Sequence, residues 1–164
     1  MNVQLVVATE TDWKQLTSLL KTYIAEMIQY VNESDVDDVT QRLINELENY
    51  KAEENRWPYL ITSDSAVAGF CFLRYFPQEP GTYDIDQFFV LKDFRRTGIG
   101  SACLAKLIAL HPGKWLIRVL KTNEGALAFW LRAVAACAGE DYERSLAIDN
   151  GTEKHFIRFD TATL

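Results

Sequence analysis

Histidine is nearly missing from this 164-residue chain. His111 and His155 stand alone, which supplies neither a histidine-based metal site nor a triad of the usual kind well. Cysteine is sparse too. Cys71, Cys103 and Cys137 are odd in number, widely spaced and without a CxxC pair, a pattern that argues against a disulfide framework and against a zinc site. A reduced, cytoplasmic setting is the expectation. No apolar run approaches a membrane span, and the opening Met1-Asn2-Val3-Gln4 lacks the basic start and apolar core of a signal peptide. Positive charge is in deficit: 17 Lys and Arg against 23 Asp and Glu leave a net charge of −6. Nucleic acid, which needs a basic face, is therefore not an expected partner, while a cationic or amine substrate is compatible. What is present is globular. With 48% hydrophobic and 24% charged residues and no repeat or linker, the chain reads as one domain over residues 1–164.

The rest of the sequence is organised around Tyr83 to Leu110. Tyr83–Val90 is rich in aromatic and β-branched residues and reads as a strand. From Ile99 onward, Ile99, Cys103, Leu107 and Leu110 fall at helical spacing. Between them lies Arg95-Arg96-Thr97-Gly98-Ile99-Gly100. A strand, a glycine loop and a helix start together make an anion cradle. Glycine lets a ligand approach the backbone, the helix N-terminus presents unpaired N–H groups, and arginine adds bidentate donors. A dinucleotide fingerprint fits poorly, because Cys103 stands where a third small residue belongs. A Walker loop is excluded, since no Lys-Ser or Lys-Thr follows the glycines. A plain glycine turn with solvated arginines remains open on these residues alone.

Around this stretch the spacing predicts a first strand at Val3–Thr9 and a helix from Trp13 to Ile28. An acidic loop over Asn32–Asp38 reads as a solvated turn, and a second helix as Val39–Lys51, with Leu43, Ile44 and Leu47 apolar. Trp57–Thr62 and Ala66–Phe76 form a hairpin, and Lys114–Leu120 is a strand parallel to Tyr83–Val90. A helix from Asn123 to Gly139 precedes paired strands at Tyr142–Ile148 and Lys154–Asp160. The result is a mixed α/β sheet in the order β-α-α-β-β-β-α-β-α-β-β.

Arg95-x-x-Gly98-x-Gly100 after a strand ending Phe88-Phe89-Val90 resembles the acetyl-CoA pyrophosphate loop of the GNAT superfamily of N-acetyltransferases. The run Asn123-Glu124-Gly125-Ala126-Leu127-Ala128-Phe129-Trp130 extends the resemblance, and the element order carries it over essentially the whole chain. Within the superfamily, the residues around Trp115–Asn123 and Phe129-Trp130 are similar to a group of predicted bacterial acetyltransferases.

The resemblance implies acetyl-CoA as co-substrate, no metal, and direct transfer of acetyl to a small-molecule or peptide amine. It implies that pantetheine pairs with the backbone of Phe88, Phe89 and Val90. Pyrophosphate would lie on the amides of Arg96, Thr97, Gly98, Ile99, Gly100 and Ser101, with Arg95 or Arg96 assisting. Asn123 would contact the cofactor, its other reading being a helix N-cap, and Phe129 and Trp130 would flank it. Asp86 is the candidate base, beside Asp84, with Gln87 positioning substrate. Trp130 stands where many relatives have a proton-donating Tyr, and indole is no acid at neutral pH, so either Tyr142 or Tyr83 is the acid, or water serves, or the coenzyme A thiolate leaves without one. Arg118 replaces the catalytic Glu of some protein-acetylating relatives. Acceptor recognition is expected from Tyr23–Tyr50 and the turn at Asp149–Glu153, with Tyr30, Trp57, Tyr75 and Phe76 as further candidates. The chain is expected to be a monomer or a homodimer, the latter through His155–Phe159. A non-catalytic acyl-CoA-binding domain is the rival reading.

Overall fold

A computed structural model describes residues 1–162. It contains strands β1 (Val3–Val7), β2 (Arg56–Ser63), β3 (Ala66–Tyr75), β4 (Thr82–Val90), β5 (Lys114–Leu120), β6 (Glu143–Asp149) and β7 (Thr152–Asp160). Helices are α1 (Trp13–Met27), α2 (Val36–Ala52), α3 (Ile99–Leu110) and α4 (Glu124–Ala138). The strands form one sheet in the order β1-β2-β3-β4-β5-β7-β6. Among the described residues only β4 and β5 pair in parallel, as a strand–helix–strand unit requires. Both tight hairpins turn through paired left-handed residues, Asp64-Ser65 and Asn150-Gly151, matching the right-handed strand twist.

The sheet separates two apolar layers, as alternation along its strands dictates. Phe70, Phe72 and Phe89 face α1 and α2, where they meet Leu16, Leu20, Leu43 and Leu47. Cys71, Leu73 and Ile85 face α3 and α4 with Leu104, Leu107 and Val134. Two expectations need correction. The second helix starts at Val36, not Val39, because Glu33, Asp35, Asp37 and Asp38 crowd its N-terminus and complement the helix dipole instead of forming a free loop. Ile44 is 41% exposed while Leu43, Leu47 and Tyr50 are buried, since one residue of helical rotation carries it off the core face. The His155–Phe159 segment lies within β7, between β5 and β6, and so completes the chain's own sheet. No helix among the described residues is long and apolar enough to cross a membrane.

Two irregularities make the site. The β4–β5 pairing runs only from Thr82↔Lys114 to Ile85↔Ile117, although both strands continue, so they part beyond that point. Opposite β3, the register jumps from Leu73↔Ile85 to Phe72↔Gln87, leaving Asp86 as the extra residue of a β-bulge. Ile85 therefore shares a face with Phe88 instead of with Phe89. Phe72 is fully buried beside this bulge and stacks on Tyr50 at 4.5 Å. Phe72→Ala is expected to cost about 3–5 kcal/mol, measured by denaturant unfolding; a loss below about 1 kcal/mol would contradict this packing.

Candidate active site

The gap between the parted strands holds two adjoining cavities. The outer one, about 790 Å³, is lined by Phe88–Val90, the loop and first turn of α3, and Asn123, Ala126, Phe129 and Trp130 of α4. The inner one, about 210 Å³, lies between α1, α2, β4 and β5. Tyr23, Met27, Phe88, Asn123, Ala126 and Trp130 line both, so the two spaces meet there. Among the described residues no strand pairs with the β5-facing edge of β4 over Gln87–Val90. That edge opens onto the outer cavity.

The loop is shaped for close approach. Gly98 precedes α3 with φ +85°, a left-handed conformation that glycine adopts without strain, and Gly98–Ser101 at the α3 start, where helical N–H groups lack intrahelical partners, line the cavity. Gly100 answers a different demand: a Cβ there would lie 2.5 Å from Phe129 Cζ. The two halves of the sequence signature thus touch. Arg96, also left-handed at φ +62°, is exposed and lines the cavity. Arg95 is engaged: Nη2 bonds Glu26 at 2.6 Å and Nε donates to the Val90 carbonyl at 2.8 Å. Thr97 donates to the Phe94 carbonyl at 2.6 Å and does not line the cavity. Asn123 Oδ1 accepts from the Ala126 N–H at 3.1 Å, an N-cap while its residue lines both cavities.

Beneath the inner cavity lies a charge network. Arg118 Nη2 donates to Asp84 at 2.8 Å and lies 3.4 Å from Asp86; Arg74 Nε donates to Asp84 at 2.9 Å and Arg74 Nη2 lies 3.4 Å from Asp86. Arg118 also pairs with Asp149, which takes Lys154 at 2.7 Å. Three carboxylates and three cations balance, as buried ions must. Burial pushes the Asp84 carboxyl above its ordinary range, against the pull of Arg118 and Arg74. Burial also disfavours the Arg118 cation, but Asp84, Asp86 and Asp149 raise it overall. Two tyrosines reach into β4 from the helices. Tyr50 donates to Asp86 at 3.0 Å and Tyr23 donates to Gln87. Burial first, then the Asp86 charge, holds both hydroxyls protonated far above neutral pH.

The acetyltransferase (GNAT) family model matches residues 17–134. The chain belongs to the GNAT acetyltransferase family. Among solved structures it is similar to an acetyltransferase from Thermus thermophilus, with 15% identity, TM-score 0.68, and 98% of this chain and 97% of that one covered. It is likewise similar to the PaiA N-acetyltransferase of Thermoplasma acidophilum in complex with coenzyme A (11% identity, TM-score 0.67, 98% and 99% covered). A third likeness is the microcin C7 self-immunity acetyltransferase MccE in complex with acetyl-CoA and AMP (14% identity, TM-score 0.65, 96% and 92% covered). At these identities the likeness is one of fold. No curated protein is significantly similar to the chain in sequence.

In this GNAT chain most residues singled out from sequence converge on the cleft. Phe88, Phe89, Val90, Arg95, Arg96, Gly98, Ile99, Gly100, Ser101, Asn123, Phe129 and Trp130 line the outer cavity, and Asp86 lines the inner one. Tyr142 lines neither; it packs against the core under α3 and α4. Tyr83 joins Tyr75, Trp57, His111 and Trp115 in an aromatic cluster away from the cleft. Phe76 packs on Phe156, so of the four aromatic acceptor candidates only Tyr30 reaches a cavity. Missed were Arg74 and the roles of Tyr23 and Tyr50, which bound the expected acceptor segment but were not placed on Gln87 and Asp86. Their apolar or strand context reads as core, and only the bulge directs Asp86 and Gln87 together toward α1 and α2.

Arg118 holds the network together. Arg118→Ala should destabilise the protein by about 3–5 kcal/mol, because Asp84, Asp86 and Asp149 lose a shared buried cation. Chemical denaturation of the purified variant measures this; a change under about 1 kcal/mol would mean that Asp84 is neutral in the fold.

Proposed function

We propose that this protein is an acetyl-CoA-dependent N-acetyltransferase that transfers acetyl directly to the amine of an acceptor bound in the inner cavity. The observation that carries the reading is the β4 edge over Gln87–Val90 that no strand pairs with, set beside an anion-accepting loop and continuous with a second cavity containing a carboxylate. Pantetheine hydrogen-bonds along Phe88–Val90 as a missing strand would. Pyrophosphate accepts from the amides at the α3 N-terminus, with Arg96 as the side chain free to pair with it. The thioester then reaches the junction at Phe88, Asn123 and Trp130.

An alkylammonium ion has no lone pair, so the acceptor must lose a proton before it attacks. Asp86 takes that proton, directly or through water. The new C–N bond forms as the amine adds to the thioester carbonyl, a β4 backbone N–H stabilises the oxyanion, and the C–S bond breaks to release the thiolate. Tyr23 lines both cavities and keeps its proton, so its hydroxyl, on turning from Gln87, is suited to hydrogen-bond the departing sulfur in place of the tyrosine that Trp130 replaces. Coenzyme A thiolate is itself a fair leaving group and needs no stronger acid.

The test couples binding to turnover. Acetyl-CoA near 100 times its dissociation constant should add about 2.7 kcal/mol, raising the unfolding midpoint by about 5–10 °C, with NAD and ATP giving no comparable shift. Thiol release with an amine panel should follow, and Asp86→Asn should lower kcat by about 100-fold or more while keeping the acetyl-CoA shift. No shift with acetyl-CoA overturns the reading. A shift without release from any amine would leave an acyl-CoA-binding domain, the alternative that Trp130 favours.

A further inference from the structure

The inner cavity has a charge pattern opposite to that of the chain. The protein carries −6 overall, yet Arg42, Arg74, Arg118 and Lys154 line this space against only Glu46 and Asp86. Both carboxylates already have partners in the fold. Glu46 bonds Arg56 at 2.8 Å, and Asp86 accepts from Tyr50 beside two arginines. Arg74, Arg118 and Lys154 are likewise neutralised by Asp84, Asp86 and Asp149. Arg42 is different. It is exposed, and among the described residues no carboxylate lies within salt-bridge distance of it.

Helical spacing directs that surplus charge at the acceptor. Val39, Arg42, Leu43 and Glu46 recur at three and four residues along α2 and line the cavity as one stripe. One turn beyond Glu46, Tyr50 holds Asp86. On the opposite wall, Lys154 feels Arg42. Burial first, and then the Arg118 and Arg42 charges, lower its affinity for a proton against the pull of Asp149. An anion entering between Arg42 and Lys154 would relieve that repulsion, and a second cation would add to it.

Resting on the acetyltransferase reading above, we infer that the acceptor is a small primary amine that also carries an anionic group, a carboxylate or a phosphate. Its amine lies toward Asp86 and Gln87, and its anionic group is bound by Arg42 with Lys154. The 210 Å³ volume suits a molecule of amino-acid size, and Met27, Val31 and Leu43 leave room for an aliphatic portion. Guanidinium binds either oxyanion through paired donors. Long polyamines, which bring only positive charge, are disfavoured.

The experiment compares amines that differ by one anionic group: L-leucine with isoamylamine, and O-phosphoethanolamine with ethanolamine, with spermidine beside them. Thiol release at saturating acetyl-CoA gives kcat/KM for each. At least one anionic member should exceed its partner lacking the anionic group by about tenfold or more, and which pair shows the gap separates carboxylate from phosphate. Arg42→Lys should keep the gap, Arg42→Ala should shrink it to under about threefold, chiefly through KM, and Arg42→Glu should invert it. Turnover of isoamylamine, ethanolamine or spermidine equal to or better than that of both anionic amines overturns the inference and leaves the acetyltransferase reading intact. If none of these amines is turned over, calorimetry of the same pairs in the presence of coenzyme A decides. Tighter binding of an anionic member that Arg42→Ala removes supports the inference, and no difference within either pair overturns it. Loss of the acetyl-CoA thermal shift, by contrast, counts against the enzyme reading itself.

Discussion

Everything at the site depends on two neighbouring parallel strands being joined at one end and apart at the other. β4 and β5 pair through Ile85↔Ile117 and then separate. A separation of that kind exposes backbone donors and acceptors that a folded protein ordinarily satisfies. Here the exposed edge faces a cavity large enough for an extended chain, and a ligand with amide groups of its own can complete the ladder. Asp84, one step before the last shared register, meets Arg118, one step past it on β5, in a 2.8 Å bond. The charge network therefore sits at the fork.

The composition of that network decides what the inner cavity offers. Six ionised groups packed together around the fully buried Asp84 are tolerable because they balance, and the balance leaves the Asp86 carboxylate available to Tyr50 and to a substrate proton. It also means that a further charge at the rim is felt. Arg42 is such a charge. An acidic protein can thus favour an anionic group on its acceptor, since net charge governs long-range encounter while the lining governs what is held at contact distance.

Much of this was legible in the sequence. The Phe88–Val90 strand, the glycine loop at Gly98 and the α3 start were readable because each rests on local rules: β-branched and aromatic residues, a glycine turn and helical spacing. Gly100 was readable as part of a loop, but not the reason for it, which is Phe129 lying 2.5 Å from where a Cβ would sit. Tyr142 illustrates the limit. Its chemistry fits a proton donor, yet it lies next to the β6 start and packs into the core, and no sequence spacing reports that. The bulge at Asp86 is the other limit. Period-two alternation puts Gln87 with Ile85, and the extra residue reverses it, bringing Asp86 and Gln87 to two tyrosines whose own context reads as buried aromatic. Tertiary register, not local propensity, assembled that half of the site.

Backbone amide exchange over Gln87–Val90, with and without acetyl-CoA, tests the central claim most directly. The amides pointing away from β3 should exchange rapidly in the free protein and become protected, by about tenfold or more, when acetyl-CoA binds. The α3 N-terminal amides should follow the same course. Acetyl-CoA binding that leaves these β4 amides unchanged, or full protection of them in the free protein, would contradict the open edge on which the site is built.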